Sequence, residues 1–157
     1  RTPKSMKVTY QFAKSNQGEP VVLHWEHGTP AILEQMGLSP KGNNTLFVGD
    51  KGNLLCGFGQ RVLLPEAQFA NFEAPDPFIE DSPGFQREWI EACKGGAPAT
   101  CNFDYSGPLA ETVLLGNVAF REGNFKWDAD HLRTTGNEDA QHLIREPYRK
   151  GWEIATA

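Results

Sequence analysis

The sequence predicts an α+β domain, and three observations carry that expectation. Segments with the two-residue period of half-buried strands crowd between Met6 and Leu64, while from Phe85 the apolar residues return at helical spacing. A length of 157 residues with 39% hydrophobic and 22% charged side chains suits one globular unit, so a single domain over 1–157 is expected.

Met6, Val8, Tyr10 and Phe12 alternate with Lys7, Thr9 and Gln11, the pattern of a strand with one buried face. The stretch SNQGEP reads as a turn, Val21 to Glu26 as the partner strand, and Pro30 to Met36 as a short helix or loop. Thr45 to Val48 and Asn53 to Cys56 are two further strands, and Val62 to Leu64 a short edge strand. The following PEAQFANFEAPDPFIEDSPG is rich in proline and acid, which suits a surface excursion better than a central element. Phe85, Trp89, Ile90 and Cys93 then fall on one side of a helix, with Ser82 and Pro83 as start signals and Gly95-Gly96 as the stop. A second helix is expected from Pro108 to Arg121, opened by Asp104 or Ser106 and closed at Gly123. Its apolar positions, among them Leu109, Val113, Leu114, Val118 and Phe120, cover most of its circumference. Such a helix is either central to its own core or also faces another domain. FKWDADHL and NEDAQHLIREPYRKGW suggest a short turn and a last polar helix, with Asp128, Asp130 and Asp139 as helix-start acids.

Several functions are disfavoured by chemistry. A net charge of −5 leaves no excess of cations to track phosphates, so nucleic acid is not an expected partner. No apolar run approaches the roughly 20 residues that span a bilayer, and RTPKSMKVTYQF lacks the apolar centre of a signal peptide, so no membrane partner is expected. Cys56, Cys93 and Cys101 have no metal-ligand spacing; reduced thiols are expected, with a Cys93 to Cys101 bridge as the lesser alternative. His24 and His27 bracket Trp25-Glu26 at a spacing that sends their rings to opposite faces of a strand, which excludes a shared metal.

Two glycine-rich stretches imitate phosphate loops. In VGDKGNLLC, Lys51 precedes Gly52 and Asn53 follows, whereas a Walker loop ends in Gly-Lys-Ser/Thr so that a hydroxyl reaches the metal. Asp50-Lys51-Gly52 between apolar runs instead predicts a hairpin tip, with Gly52 supplying a positive φ. GFGQRV lacks the third glycine of a dinucleotide fingerprint and is followed by the proline-rich excursion rather than a helix. No nucleophile motif and no paired carboxylates of a small hydrolase can be located.

LFVGDKGNLLCG, SPGFQREWIEACKGG, CNFDYSGPLAETVLLGNVAFREG, FKWDADHLRTT and EPYRKGWE occur in this order over nearly the whole chain. Together they resemble the C-terminal domain of the glucose-fructose oxidoreductase, inositol dehydrogenase and rhizopine-catabolism (Gfo/Idh/MocA) family, in the branch common in planctomycetes and Bacteroidetes. The resemblance implies an open, largely antiparallel or mixed sheet with helices packed on one face. It also implies a parent enzyme in which an N-terminal Rossmann domain, absent from this chain, binds NAD or NADP and a sugar or polyol hydroxyl exchanges a hydride. VGDKGNLL corresponds to the family's Gly-x-x-Gly-x-Leu hairpin, a scaffold element. The dinucleotide fingerprint, the Glu-Lys-Pro segment with its catalytic lysine and the Asp-x-x-x-His helix have no counterpart here, and Phe85 or Gln86 stands where relatives often carry histidine. No catalytic and no cofactor-binding residue is therefore carried over.

The expected function is that of the substrate-binding and oligomerisation domain of such an oxidoreductase; a free-standing carbohydrate-binding or dimerisation module is the alternative. Trp25, Glu26, His27 and Tyr105 are the candidate substrate-binding residues, since aromatic faces cover sugar C–H surfaces while carboxylate and imidazole bond to hydroxyls. A homo-oligomer through the sheet face is expected, with Val8, Tyr10, Leu23 and Trp25 as candidate face residues and the outward period-two set left open by the pattern. Relatives work in the cytoplasm or are exported by a twin-arginine signal, which this sequence does not contain.

Overall fold

The computed structural model describes residues 3–14, 18–39, 42, 45–145 and 147–153. Its architecture is α+β, with few helices and small antiparallel sheets. Among the described residues the strands form three separate ladders of two, three and two strands. By its contacts the chain divides into two compact units, Arg1–Lys7 with Glu26–Asp81, and Val8–Trp25 with Ser82–Ala157.

The first unit is built on a three-stranded meander. Strands β3 (Thr45–Val48), β4 (Asn53–Cys56) and β5 (Arg61–Leu64) pair antiparallel in chain order. Leu46, Leu55 and Val62 stand opposite one another on one face, and Phe47, Leu54 and Leu63 on the other. Only the first row is anchored in core, since Leu55 is buried. Leu33 is buried as well, on the single-turn helix α1 (Ala31–Gln35).

The β3–β4 turn is the expected hairpin, closed by Gly49 N–H donating to the Gly52 carbonyl at 3.0 Å. Position 52 needs glycine for a further reason, close approach. A Cβ there would lie 2.6 Å from the Phe69 ring and 2.9 Å from the Leu64 carbonyl oxygen. Phe69 ends a 3-10 turn, Glu66–Phe69, which Gln68 ties to the hairpin by donating from Nε2 to the Lys51 carbonyl at 2.9 Å. The expected surface excursion follows, with neither helix nor strand over 73–84.

In the second unit the long helix α3 (Phe103–Glu122) lies against the hairpin of β1 (Lys7–Phe12) and β2 (Val21–Glu26). Thr9 Oγ1 meets His24 Nδ1 at 3.0 Å and Lys7 Nζ meets Glu26 at 2.6 Å, and the His27 amide donates to the Met6 carbonyl at 3.0 Å. As one number rises the other falls, which only antiparallel pairing allows, so Val8 stands opposite Trp25 and Tyr10 opposite Leu23. Part of the turn expected over SNQGEP, residues 15–17, lies outside the described residues.

Gly116 of α3 is buried, and a Cβ on it would run into the Tyr10 hydroxyl and come within 3.3 Å of Val8 Cγ2. That fixes which side of the hairpin the helix covers. It also corrects the expected oligomer face, because Val8 is buried and Tyr10 is held against Gly116, so neither is available to a second copy. Burial pushes the Tyr10 phenol up, against the lowering effect of its hydrogen bond with the Gly116 backbone.

The start of α3 differs from the expected Pro108. Asn102 caps it, its Oδ1 accepting from the Asp104 and Tyr105 amides at 3.0 and 3.2 Å, and Pro108 is carried inside the helix. The satisfied donors of the first turn outweigh the preference of proline for the first position. Asn137 serves the other end, donating to the Glu122 carbonyl at 2.7 Å. Helix α2 (Phe85–Cys93) stops as expected: Gly95 takes φ 89°, and the Gly96 and Gly95 amides return to the carbonyls of Glu91 and Ala92.

Beyond α3 the expected turn and last polar helix are replaced by a hairpin of β6 (Lys126–Asp128) and β7 (Arg133–Thr135) and a 3-10 turn, Gln141–Leu143. Asp128 is therefore a strand-end residue rather than a helix-start acid. Gln141 is held to the hairpin, its Oε1 accepting from the Thr134 amide at 2.6 Å, and Ala140 is fully buried beside it in sequence.

Candidate functional site

Of the four expected substrate-binding residues, Trp25 and Tyr105 belong to the second unit and Glu26 and His27 to the first. Trp25 lies on the hairpin face that carries Val8 and Tyr10, yet its indole is 43% exposed. Glu26 follows it on the same strand and so presents to the opposite face, where Lys7 holds its carboxylate at 2.6 Å. His27 closes the β1–β2 ladder through its backbone amide and is exposed. Tyr105 sits in the first turn of α3 with its ring 63% exposed. The strand period thus separates Trp25 from Glu26. It leaves the exposed indole and phenol as the aromatic pair of one unit and Glu26 with His27 as the polar pair of the other.

Two carboxylate hubs were not legible as sites. Glu88 on α2 accepts from the Ser82 hydroxyl at 2.5 Å, from the Thr100 hydroxyl at 2.6 Å and from the Thr100 amide. These bonds, Ser82 first and then Thr100, pull its carboxyl down to about 2. With both oxygens engaged and so low a pKa, Glu88 cannot act as a base near neutral pH. It pins the segments on either side of α2.

The second hub is Asp128. Both of its oxygens lie 3.0 Å from His131 Nδ1, and Oδ2 also accepts from Arg133 Nε at 3.0 Å. The His131 side chain first, and then Arg133 and the His131 backbone, holds the Asp128 carboxyl below its ordinary value against partial burial. Leu132, between His131 and Arg133, takes φ 47°, a left-handed conformation that costs a branched residue about 1–2 kcal/mol. Next to Asp128, Trp127 donates from Nε1 to Glu111 of α3 at 2.5 Å, which ties the hairpin to the helix. Sequence reasoning could have suspected the hub from Asp128, His131 and Arg133 lying close together around one turn, but only the β6–β7 pairing, which sets Arg133 opposite Asp128, brings them together.

The glycine-rich stretch GFGQRV is the turn between β4 and β5, closed by the Gly57 amide donating to the Gln60 carbonyl at 3.0 Å, with Phe58 fully exposed at its tip. Among the described residues no group of three or more His, Cys, Asp or Glu could hold a metal ion, and no helix is long and apolar enough to cross a membrane. The three cysteines carry free thiols, Cys93 and Cys101 both exposed.

Helix α3 is only partly covered. Gly116 faces β1, whereas Leu109, Val113, Leu114 and Phe120 are between 47% and 61% exposed. Comparison of the chain with protein-family models, with curated proteins and with solved structures gives no match.

Proposed function

We propose that this chain is the substrate-binding and oligomerisation domain of an NAD(P)-dependent sugar or polyol oxidoreductase, acting together with a cofactor-binding domain that these residues do not supply. The observation that carries the reading is the exposed apolar side of α3. Leu109, Val113 and Phe120 stand at i−7, i−3 and i+4 from Gly116, on the stripe that meets β1, and with Leu114 on the far side they remain 47% to 61% exposed, as expected where a second body covers the helix. The ordered motifs from LFVGDKGNLLCG to EPYRKGWE and the α+β architecture support the same reading.

The nicotinamide cofactor would supply the hydride chemistry, leaving this chain to bind and orient the sugar. Trp25 and Tyr105, both exposed in the second unit, offer aromatic faces for sugar C–H surfaces. The test is a nicotinamide-linked assay of the longest product of the gene against a panel of aldoses and polyols. Oxidation or reduction of a member of the panel is expected, with Tyr105→Ala raising KM severalfold while leaving the melting temperature within about 2 °C, since Tyr105 is exposed. Turnover of no panel member with either cofactor would sink the reading.

A further inference from the structure

Two features of the first unit take no part in that reading. The first is an open apolar hollow of about 270 Å³ on the Phe47, Leu54 and Leu63 face of the meander, with Val48 and Phe69 in its walls and Lys51 at its edge. A cavity of about 150 Å³ is enough to admit a benzene ring, so the hollow has room for a phenyl side chain. The second is a strap between the 3-10 turn Glu66–Phe69 and α2, on which Phe78 is 89% and Ile79 69% exposed. Pro75, Pro77 and Pro83 restrict the backbone around the pair, so the strap surrenders little freedom on docking. Asp76, Glu80 and Asp81 flank it, and neither they nor Lys51 form an ion pair among the described residues.

We propose that the Phe78–Ile79 strap of one copy of this chain docks in the hairpin-tip hollow of a second copy, with Lys51 meeting the acids that flank the inserted side chain. The strap does not fill its own hollow, as the exposure of Phe78 shows. It nevertheless carries both properties that the hollow selects, a ring of suitable size and a charge opposite to Lys51. Each copy holds one strap and one hollow, so a twofold arrangement makes the contact twice and closes on itself. Phe78, the more exposed of the pair and the one with a ring, is the side chain that enters. The inference rests on the oligomerisation part of the proposed function and not on its chemistry.

The test is sedimentation equilibrium of the whole chain across the micromolar range, for the wild type, Phe78→Ser, Lys51→Glu, and Lys51→Glu combined with Asp76→Lys and Glu80→Lys. The wild type is expected to dimerise. Phe78→Ser and Lys51→Glu should each weaken the dimer by about tenfold or more, and the combined charge reversal should recover most of the Lys51→Glu loss. Both altered side chains are exposed, so circular dichroism should show an unchanged fold. A wild type that stays monomeric would overturn this inference and the oligomerisation reading together. A dimer indifferent to both single substitutions, or a reversal that recovers nothing, would overturn the docking alone.

Discussion

Replacing Gly52 by alanine should be among the most costly single-methyl changes in this chain. The new Cβ would lie 2.6 and 2.7 Å from two atoms of the Phe69 ring and 2.9 Å from the Leu64 carbonyl oxygen. The ring can swing, but the carbonyl is backbone of β5, the strand that pairs with β4 just beyond the turn. Gly52 also holds φ 154°, which an L side chain rarely adopts. Overpacking costs about 1–3 kcal/mol and an unsuitable backbone conformation about 1–3 kcal/mol, so a loss of about 3 kcal/mol is expected. For a chain of this size that lowers the melting temperature by about 6–12 °C. Thermal unfolding followed by circular dichroism measures it, with Gly59→Ala as the control, since a Cβ there meets nothing within 4 Å. Phe69→Leu should recover part of the loss, because the ring goes and the Leu64 carbonyl stays. A Gly52→Ala melt that overlays the wild type would refute the close packing of Phe69 on the hairpin tip.

Two further changes probe the second unit. The Glu88 carboxyl is lowered from its ordinary 4.5 to about 2, so its bonds to Ser82 and Thr100 contribute stability that is present above pH 4.5 and lost as pH falls towards about 2. Melting temperature against pH should show that loss in the wild type and a shallower slope in Glu88→Gln; parallel curves would contradict the pin. Trp127→Phe removes the hydrogen bond to Glu111 while keeping the ring, and should cost about 1 kcal/mol, or about 2–4 °C in melting temperature. An unchanged melt would show that the hairpin β6–β7 is not held to α3 through that bond.

Elements whose signal is local were legible in the sequence. The period of β1, the meander strands, the hairpin at Gly52 and the glycine stop of α2 all depend on residues a few positions apart. The start of α3 was not, because a proline at a permissible first position competes with an asparagine cap, and only the amides that Asn102 satisfies decide between them. FKWDADHL reads as a short turn and NEDAQHLIREPYRKGW as a polar helix, whereas this last segment forms the hairpin β6–β7 and a 3-10 turn. Its hairpin is held by Asp128 and Gln141, through contacts that local pattern does not announce. Of the candidate site, Trp25 and Tyr105 are exposed, which their aromatic character alone does not announce. The separation of Trp25 from Glu26 was already implied by adjacency on a strand, while the pairing of Glu26 with Lys7 needed the register.

The central claim is that the exposed apolar surface of α3 around Val113 is a face for another body of the proposed parent enzyme. Val113→Arg tests it most directly, since Val113 is 60% exposed in this chain. Introduced into the chain alone, it should leave the melting temperature within about 2 °C, the usual effect of a surface substitution. Introduced into the longest product of the gene, it should lower nicotinamide-linked turnover by about tenfold or more, because an arginine would then be buried against apolar surface without a partner. Turnover unchanged in the longer protein, or a chain that unfolds by itself several degrees earlier, would contradict the claim.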